Sequence, residues 1–138
     1  MTSVAAARAR SRTRHRRMRL LAALAVGVLG ACDSDPSGPG AFLARASAPG
    51  LGAVVLEVEG QGITGFAGRG STRVYSAAVP SRPRVHRVVL VDAVGGELGF
   101  DIQVEDVGME RPIVTVVQAA GTDNRSLSSG AVSVAVEQ

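Results

Sequence analysis

Carboxylates and a single histidine are the groups after residue 32 that could support catalysis or bind a metal ion. Nucleophilic catalysis needs a serine or cysteine nucleophile together with a base. The only histidine after Cys32 is His86, and it falls within a predicted strand among arginines, so it is a poor candidate for that base. Four acidic residues could form a calcium site or a carboxylate pair: Asp101, Glu105, Asp106 and Glu110. Asp101 and Glu105 alternate with apolar residues as on any solvent-facing strand. No catalytic residue, metal or cofactor is therefore predicted, and a carboxylate-based hydrolase is the weakest alternative.

Three arginines lie close together in the sequence, at Arg82, Arg84 and Arg87. Such a positive group could bind an anionic glycan or lipid, which makes an anion-binding protein the main alternative function. Charges on a strand also keep sheet edges from pairing with other chains, and the sequence favours this second interpretation. Sugar stacking is not indicated, because the part after Cys32 has three phenylalanines, one tyrosine and no tryptophan.

One glycine-rich segment has the spacing of a nucleotide-binding loop. Gly60-Gln61-Gly62-Ile63-Thr64-Gly65 fits the pattern G-x-G-x-x-G. That loop requires a following helix whose N-terminus binds the pyrophosphate, and the glycine-rich residues 66–70 cannot form one. These glycines are instead predicted to form turns.

The distribution of charge changes at Cys32. Seven of the fifteen arginines precede this cysteine and the chain has no lysine, whereas all twelve acidic residues follow it. The part after Cys32 therefore has eight basic and twelve acidic residues, a net charge of −4, although the whole chain is +3. Because the excess positive charge belongs to the first residues, no nucleic-acid partner is predicted.

The first 31 residues have the organisation of a secretory signal peptide. An arginine-rich stretch that ends at Arg19 is followed by an uncharged run from Leu20 to Leu29 and then by small residues. The uncharged run is much shorter than the ~20 residues that a membrane-spanning helix needs. Residues 1–31 are therefore predicted to be a cleaved signal peptide, with Met18 as an alternative start of the chain.

The end of this segment, Leu29-Gly30-Ala31-Cys32, resembles the lipobox of bacterial lipoproteins. The resemblance implies that the Cys32 sulfur carries a covalent diacylglycerol and that a signal peptidase cuts after Ala31. Two or more acyl chains hold a protein firmly on a bilayer. The chain is thus expected to be anchored in the cell envelope, on the inner or the outer membrane, with its domain outside the cytoplasm.

The rest of the chain alternates apolar and polar residues with the period of two that is typical of β-strands. Residues 33–40 are polar and broken by proline and glycine, so residues 32–40 are predicted to be the lipidated cysteine and a flexible linker. Residues 41–138 are predicted to form a small antiparallel β-sandwich of seven or eight strands. The clearest strands are residues 54–58, 85–91, 98–105 and 131–137, and weaker candidates are residues 42–47, 73–79 and 112–117.

Two of these strands are predicted to form a hairpin. A loop at residues 92–96 would place Leu90 opposite Leu98 on the inner face and Arg87 opposite Asp101 on the outer face. The hydrophobic pattern and the charge pairing both agree with this register.

The pattern of residues 52–58, a later central strand and residues 98–104 resembles cohesin-type and immunoglobulin-like sandwiches of bacterial envelope proteins. This resemblance implies a role in adhesion or scaffolding. The function expected from the sequence is therefore that of a membrane-anchored envelope lipoprotein with a non-enzymatic structural or protein-interaction module, whose partner would be another envelope protein.

Overall fold

The computed structural model describes residues 35–138. The lipobox residues Leu29, Gly30, Ala31 and Cys32 lie outside the described residues. The strands of the described part are β1 (Gly40–Ser47), β2 (Leu51–Glu59), β3 (Ile63–Gly68), β4 (Arg73–Val79), β5 (Arg82–Val91), β6 (Glu97–Val104), β7 (Ile113–Gly121), β8 (Ser126–Leu127) and β9 (Ser133–Glu137). A single turn of 3-10 helix spans Ser129–Ala131, and no helix of residues 35–138 is long and apolar enough to cross a membrane.

The strands form two antiparallel sheets. Sheet A has four strands in the order β3-β6-β1-β9, and sheet B has five strands in the order β4-β5-β2-β7-β8. This arrangement confirms the predicted small antiparallel β-sandwich. The structure has nine strands where the sequence indicated seven or eight. The two additional strands are β8, which has only two residues, and β3. The two glycines of β3 belong to a glycine-rich part of the sequence that was predicted to form turns.

Alternate residues of the central strands fill the space between the sheets. In β1 and β6 of sheet A, the side chains of Phe42 and Phe100 are at most 2 % exposed, and in β2 and β5 of sheet B those of Leu56 and Leu90 are fully buried. Burying a side chain of this size contributes about 1.5–3 kcal/mol. The period of two in the sequence therefore records which face of each strand meets the core.

The predicted hairpin between β5 and β6 is wrong. The strands belong to different sheets, because β5 pairs with β2 and β4 whereas β6 pairs with β1 and β3. Leu90 and Leu98 are both buried, but they enter the core from opposite sheets. Hydrophobic alternation gives the inward face of each strand and not its neighbour, so a hairpin and a crossover between sheets have the same pattern.

The domain begins slightly before the predicted boundary at residue 41. Gly40 already belongs to β1, and Gly38 exchanges two hydrogen bonds with the segment after β6. The C-terminal end of the predicted linker is therefore part of the folded unit.

Candidate interaction surface

The outer face of sheet B carries an apolar row that is open to solvent. Tyr75, Val89 and Val55 are direct cross-strand neighbours on β4, β5 and β2, and the two valines alternate with buried residues of their strands. Val117 extends the row, since it is the extra residue of a β-bulge where β7 passes Val55. Tyr75 is 59 % exposed and Val117 is 44 % exposed. A contiguous exposed apolar patch on a folded domain commonly marks a protein interface.

The outer face of sheet A has the opposite character. Arg45 on β1 forms ion pairs with Glu97 at 3.7 Å and Glu137 at 3.0 Å, and Asp101 on β6 accepts a hydrogen bond of 2.8 Å from Arg69. Exposed charge pairs of this kind add little to stability but keep a surface hydrated. The outer face of sheet A is therefore crossed by ion pairs, whereas that of sheet B carries the apolar row.

A cluster of Glu57, Arg82 and Arg87 lies beside the middle of the apolar row, since the Glu57–Arg87 pair is two residues along β2 and β5 from Val55 and Val89. Arg82 and Arg87 each donate a hydrogen bond of 2.6 Å to Glu57 Oε1. The hydrogen bond from Arg82, followed by that from Arg87, lowers the pKa of Glu57 from 4.5 to about 2. The same contact raises the pKa of the Arg82 guanidinium. Glu57 therefore stays ionised at neutral pH and neutralises part of the charge of both arginines.

The three arginines of the predicted anionic-ligand patch contact different groups. Arg82 and Arg87 meet at Glu57, and Arg82 and Arg84 both line a cleft of about 300 Å³. Arg84 makes no ion pair within the described part of the chain and also lines a neighbouring cleft of about 90 Å³. Arg111 also lines this cleft, together with Glu59 and Glu110. The positive charge there is balanced by two carboxylates, so the cleft does not concentrate positive potential.

The carboxylate of Asp106 fastens the start of the domain to the segment after β6. Its Oδ1 accepts hydrogen bonds from the amides of Gly38 at 2.7 Å and Gly108 at 2.8 Å, and the Val107 amide donates to the Gly38 carbonyl at 2.9 Å. The two amide hydrogen bonds, that from Gly38 first, lower the pKa of Asp106. We call this arrangement the Asp106 clasp.

A second carboxylate, Asp92, joins two loops at the crossover from β5 to β6. It is only 7 % exposed, and it accepts hydrogen bonds from the Ser71 hydroxyl at 2.6 Å and the Val94 amide at 2.8 Å. The Ser71 hydrogen bond is the main cause that lowers the pKa of Asp92. Because its oxygens are used by the protein itself, Asp92 has a structural role.

The four acids considered for calcium or hydrolysis are not assembled into a site. Asp101 is paired with Arg69, and Asp106 is used in the clasp. Across residues 35–138 no three histidine, cysteine, aspartate or glutamate side chains are close enough to hold a metal ion. His86 is half-buried between the sheets, where its ring packs edge-on against that of Phe66 with a centroid distance of 5.4 Å.

Sequence reasoning missed the apolar row and the role of Glu57. Each of Tyr75, Val89 and Val55 is an ordinary strand residue by itself, and only the order of the strands places them side by side. The sequence contains one signal that pointed to the row. Residues 88–91 are all apolar, and because successive side chains of a strand point to opposite faces, only half of them can enter the core. Comparison with protein-family models, curated proteins and solved structures gives no match to this chain.

Proposed function

We propose that this chain is a lipoprotein of the bacterial cell envelope, anchored through Cys32, and that its β-sandwich binds another envelope protein through the outer face of sheet B without catalysing a reaction. The observation that carries the second part is the apolar row in which Tyr75 and Val117 are exposed and Val89 and Val55 are half-buried. The first part rests on Leu29-Gly30-Ala31-Cys32 and the arginine-rich segment before it.

The chemistry of the row fits a protein partner better than a glycan or an anionic polymer. Its side chains are aliphatic except for Tyr75, so it offers no set of aromatic faces on which sugars could stack. The adjoining arginines, Arg82 and Arg87, share the Glu57 carboxylate. A neutral aliphatic surface with an aromatic residue and a charged margin is the usual composition of a protein interface.

The Asp106 clasp is compatible with a short tether. Only residues 33–37 separate Cys32 from Gly38, and a peptide of that length spans at most about 20 Å when fully extended. Gly38 precedes β1 and Asp106 follows β6, so the clasp lies at the end of these strands and away from the apolar row. A protein held at this end would keep the outer face of sheet B accessible to a neighbour in the envelope.

Mass spectrometry of the mature N-terminus tests the anchor. Protein purified from bacterial membranes should begin at Cys32 and carry the mass of a diacylglyceryl group, and Cys32→Ser should leave the membrane fraction. Retention of Met1 or Met18 together with a free thiol would exclude the anchored form.

Site-specific photo-crosslinking in intact cells tests the binding face. A photoreactive residue at Val117 should give a discrete adduct with an envelope protein, and the same residue at Gln103, exposed on the outer face of sheet A, serves as the matched control. Tyr75→Lys should abolish the Val117 adduct because it places a charge in the row. Equal adducts at both positions, or an adduct that survives Tyr75→Lys, would exclude this face.

An anionic ligand makes a different prediction. Wild-type protein would be retained on an anionic polymer, and the pair Arg84→Glu and Arg87→Glu would lose that retention. If the proposed function is correct, Arg84→Glu alone, which lies outside the charged margin of the row, leaves the Val117 adduct unchanged.

A further inference from the structure

Strand β4 forms one edge of sheet B, and it is exposed on both faces. It pairs with β5 on one side, and no strand of residues 35–138 pairs with the other. Tyr75 and Ala77 point to the outer face, whereas Ser76 and Ala78 have the parity of core residues and are nevertheless exposed. An edge strand with free N–H and C=O groups is a template for pairing with another chain.

The other three sheet edges of the described domain have protective features. In β3 the pairing with β6 shifts between Ile63 and Gly65, which marks a bulge, and β8 has only two residues. In β9 the Arg111 guanidinium donates a hydrogen bond of 3.1 Å to the Val136 carbonyl. Bulges, short strands and charged groups at an edge are the usual means of preventing pairing.

The open part of β4 is less protected, because its pairing with β5 is regular from Arg73 to Ala78 and shifts only between Ala78 and Val79. Its first residues, Arg73 and Val74, adjoin the turn from β3, where Val74 packs close to Gly68. Residues 75–79 follow, and they include no charged residue, proline or glycine. An uncharged segment of five residues, of which Tyr75 and Val79 are types that favour strands, is thus left at an edge that is accessible from both faces.

We infer that two copies of this chain pair through β4, in antiparallel orientation about a two-fold axis at Ala77. An isologous contact must be self-complementary. With Ala77 opposite its symmetry mate, Tyr75 lies opposite Val79 on the outer face and Ser76 lies opposite Ala78 on the inner face. The first pair is aromatic against β-branched, which is a favourable cross-strand combination, and the second pair is small against small.

This pairing joins the two five-stranded sheets into one continuous sheet and places the two apolar rows side by side. The Tyr75 residues of both copies then lie near the centre of the combined outer face. No like charges meet in the paired segment, since residues 75–79 are uncharged. The pairing depends on neither the lipid nor the binding partner proposed above.

Disulfide trapping of the full chain in bacterial membranes tests the inference. Cα atoms that lie directly opposite in antiparallel strands are about 4.5–5.5 Å apart, within the range that a disulfide spans. Ala77→Cys should give a disulfide-linked dimer on mild oxidation. Thr115→Cys, exposed on the outer face of the interior strand β7, is the matched control, and the wild-type chain with Cys32 gives the background. Equal dimer from both variants, or none from Ala77→Cys, overturns the pairing.

A charge exchange in the Ala77→Cys background tests the register. Adding Ser76→Lys and Ala78→Lys places like charges opposite each other and should reduce the dimer several-fold. Adding Ser76→Lys and Ala78→Glu places opposite charges there and should restore it. Both residues are exposed, so neither change affects the core, and equal protease resistance of the two variants verifies that both fold. Equal amounts of dimer from both charge variants would overturn the inferred register.

Discussion

Arg87 lies directly opposite Glu57 in the ladder between β5 and β2, and its Nη2 donates a hydrogen bond of 2.6 Å to Glu57 Oε1. Arg82, at the start of β5, donates to the same oxygen. Between these two arginines the chain departs from regular pairing, because the register with β4 shifts between Ala78 and Val79. One carboxylate therefore fixes the irregular start of β5 to the neighbouring strand β2.

The stability of the domain should decrease in acid through Glu57. Its pKa in the folded protein is about 2 and its ordinary value is 4.5. Because the folded value is the lower one, the ionised carboxylate stabilises the folded state fully above about pH 4.5, and this contribution is lost as the pH falls toward 2. Glu57→Gln should lower the melting temperature at pH 7 and flatten its decrease between pH 4.5 and 2. An equally steep decrease in both proteins would contradict this role.

A double-mutant cycle distinguishes the observed strand order from a β5–β6 hairpin. Arg87→Ala and Glu57→Ala should show a small but measurable non-additivity, since the two side chains form one solvent-exposed ion pair. Arg87→Ala and Asp101→Ala should add without a measurable interaction term, because Asp101 belongs to sheet A and pairs with Arg69. Urea unfolding of the single and double variants provides the measurement. Coupling between Arg87 and Asp101 would indicate the hairpin.

The contrast between these pairs shows what could be predicted from the sequence. The strands and their inward faces follow from alternation, so β4 was placed with its observed bounds and the cores of β2, β5 and β6 were identified. Strand order was not accessible, since Arg87 has a plausible acidic partner at both Glu57 and Asp101. Local charge pairing is too weak to choose between sheets, and the choice is made by the burial of the whole core.

The candidate surface was less predictable than the fold for the same reason. An exposed valine such as Val117 is unremarkable in a sequence, and its meaning comes from neighbours that are distant along the chain. The arginines at positions 82, 84 and 87 formed a visible cluster, yet the sequence did not show that Arg82 and Arg87 share the Glu57 carboxylate whereas Arg84 makes no ion pair within residues 35–138. The anchor lies at the other extreme, since a lipobox is read from consecutive residues and needs no fold.

The Asp106 clasp should control how firmly the start of the domain is held. Asp106→Ala removes the acceptor of the Gly38 and Gly108 amides, so both amides should exchange hydrogen for deuterium faster than in the wild type. Because the clasp lowers the pKa of Asp106, its protection of Gly38 should also decrease as acid protonates this carboxyl. Glu105→Gln, at the neighbouring exposed position, is the matched control and should leave exchange at Gly38 unchanged. Unchanged exchange in Asp106→Ala would show that the clasp does not hold the segment.

The crossover from β5 to β6 should depend on Gly95 more than an ordinary turn depends on its glycine. Gly50 and Gly95 both have positive φ, 67° and 78°, where an L-residue costs about 1–2 kcal/mol. A Cβ at Gly50 would meet open space, whereas one at Gly95 would lie 2.9 Å from the Leu51 carbonyl oxygen and 2.5 Å from Thr122 Cγ2. Gly50→Ala should therefore lower the free energy of unfolding by about 1–2 kcal/mol and Gly95→Ala by about 3 kcal/mol or more. Equal losses of unfolding free energy in the two variants would contradict the close packing of this crossover against β2. The crossover is the segment that leads from β5 in sheet B to β6 in sheet A.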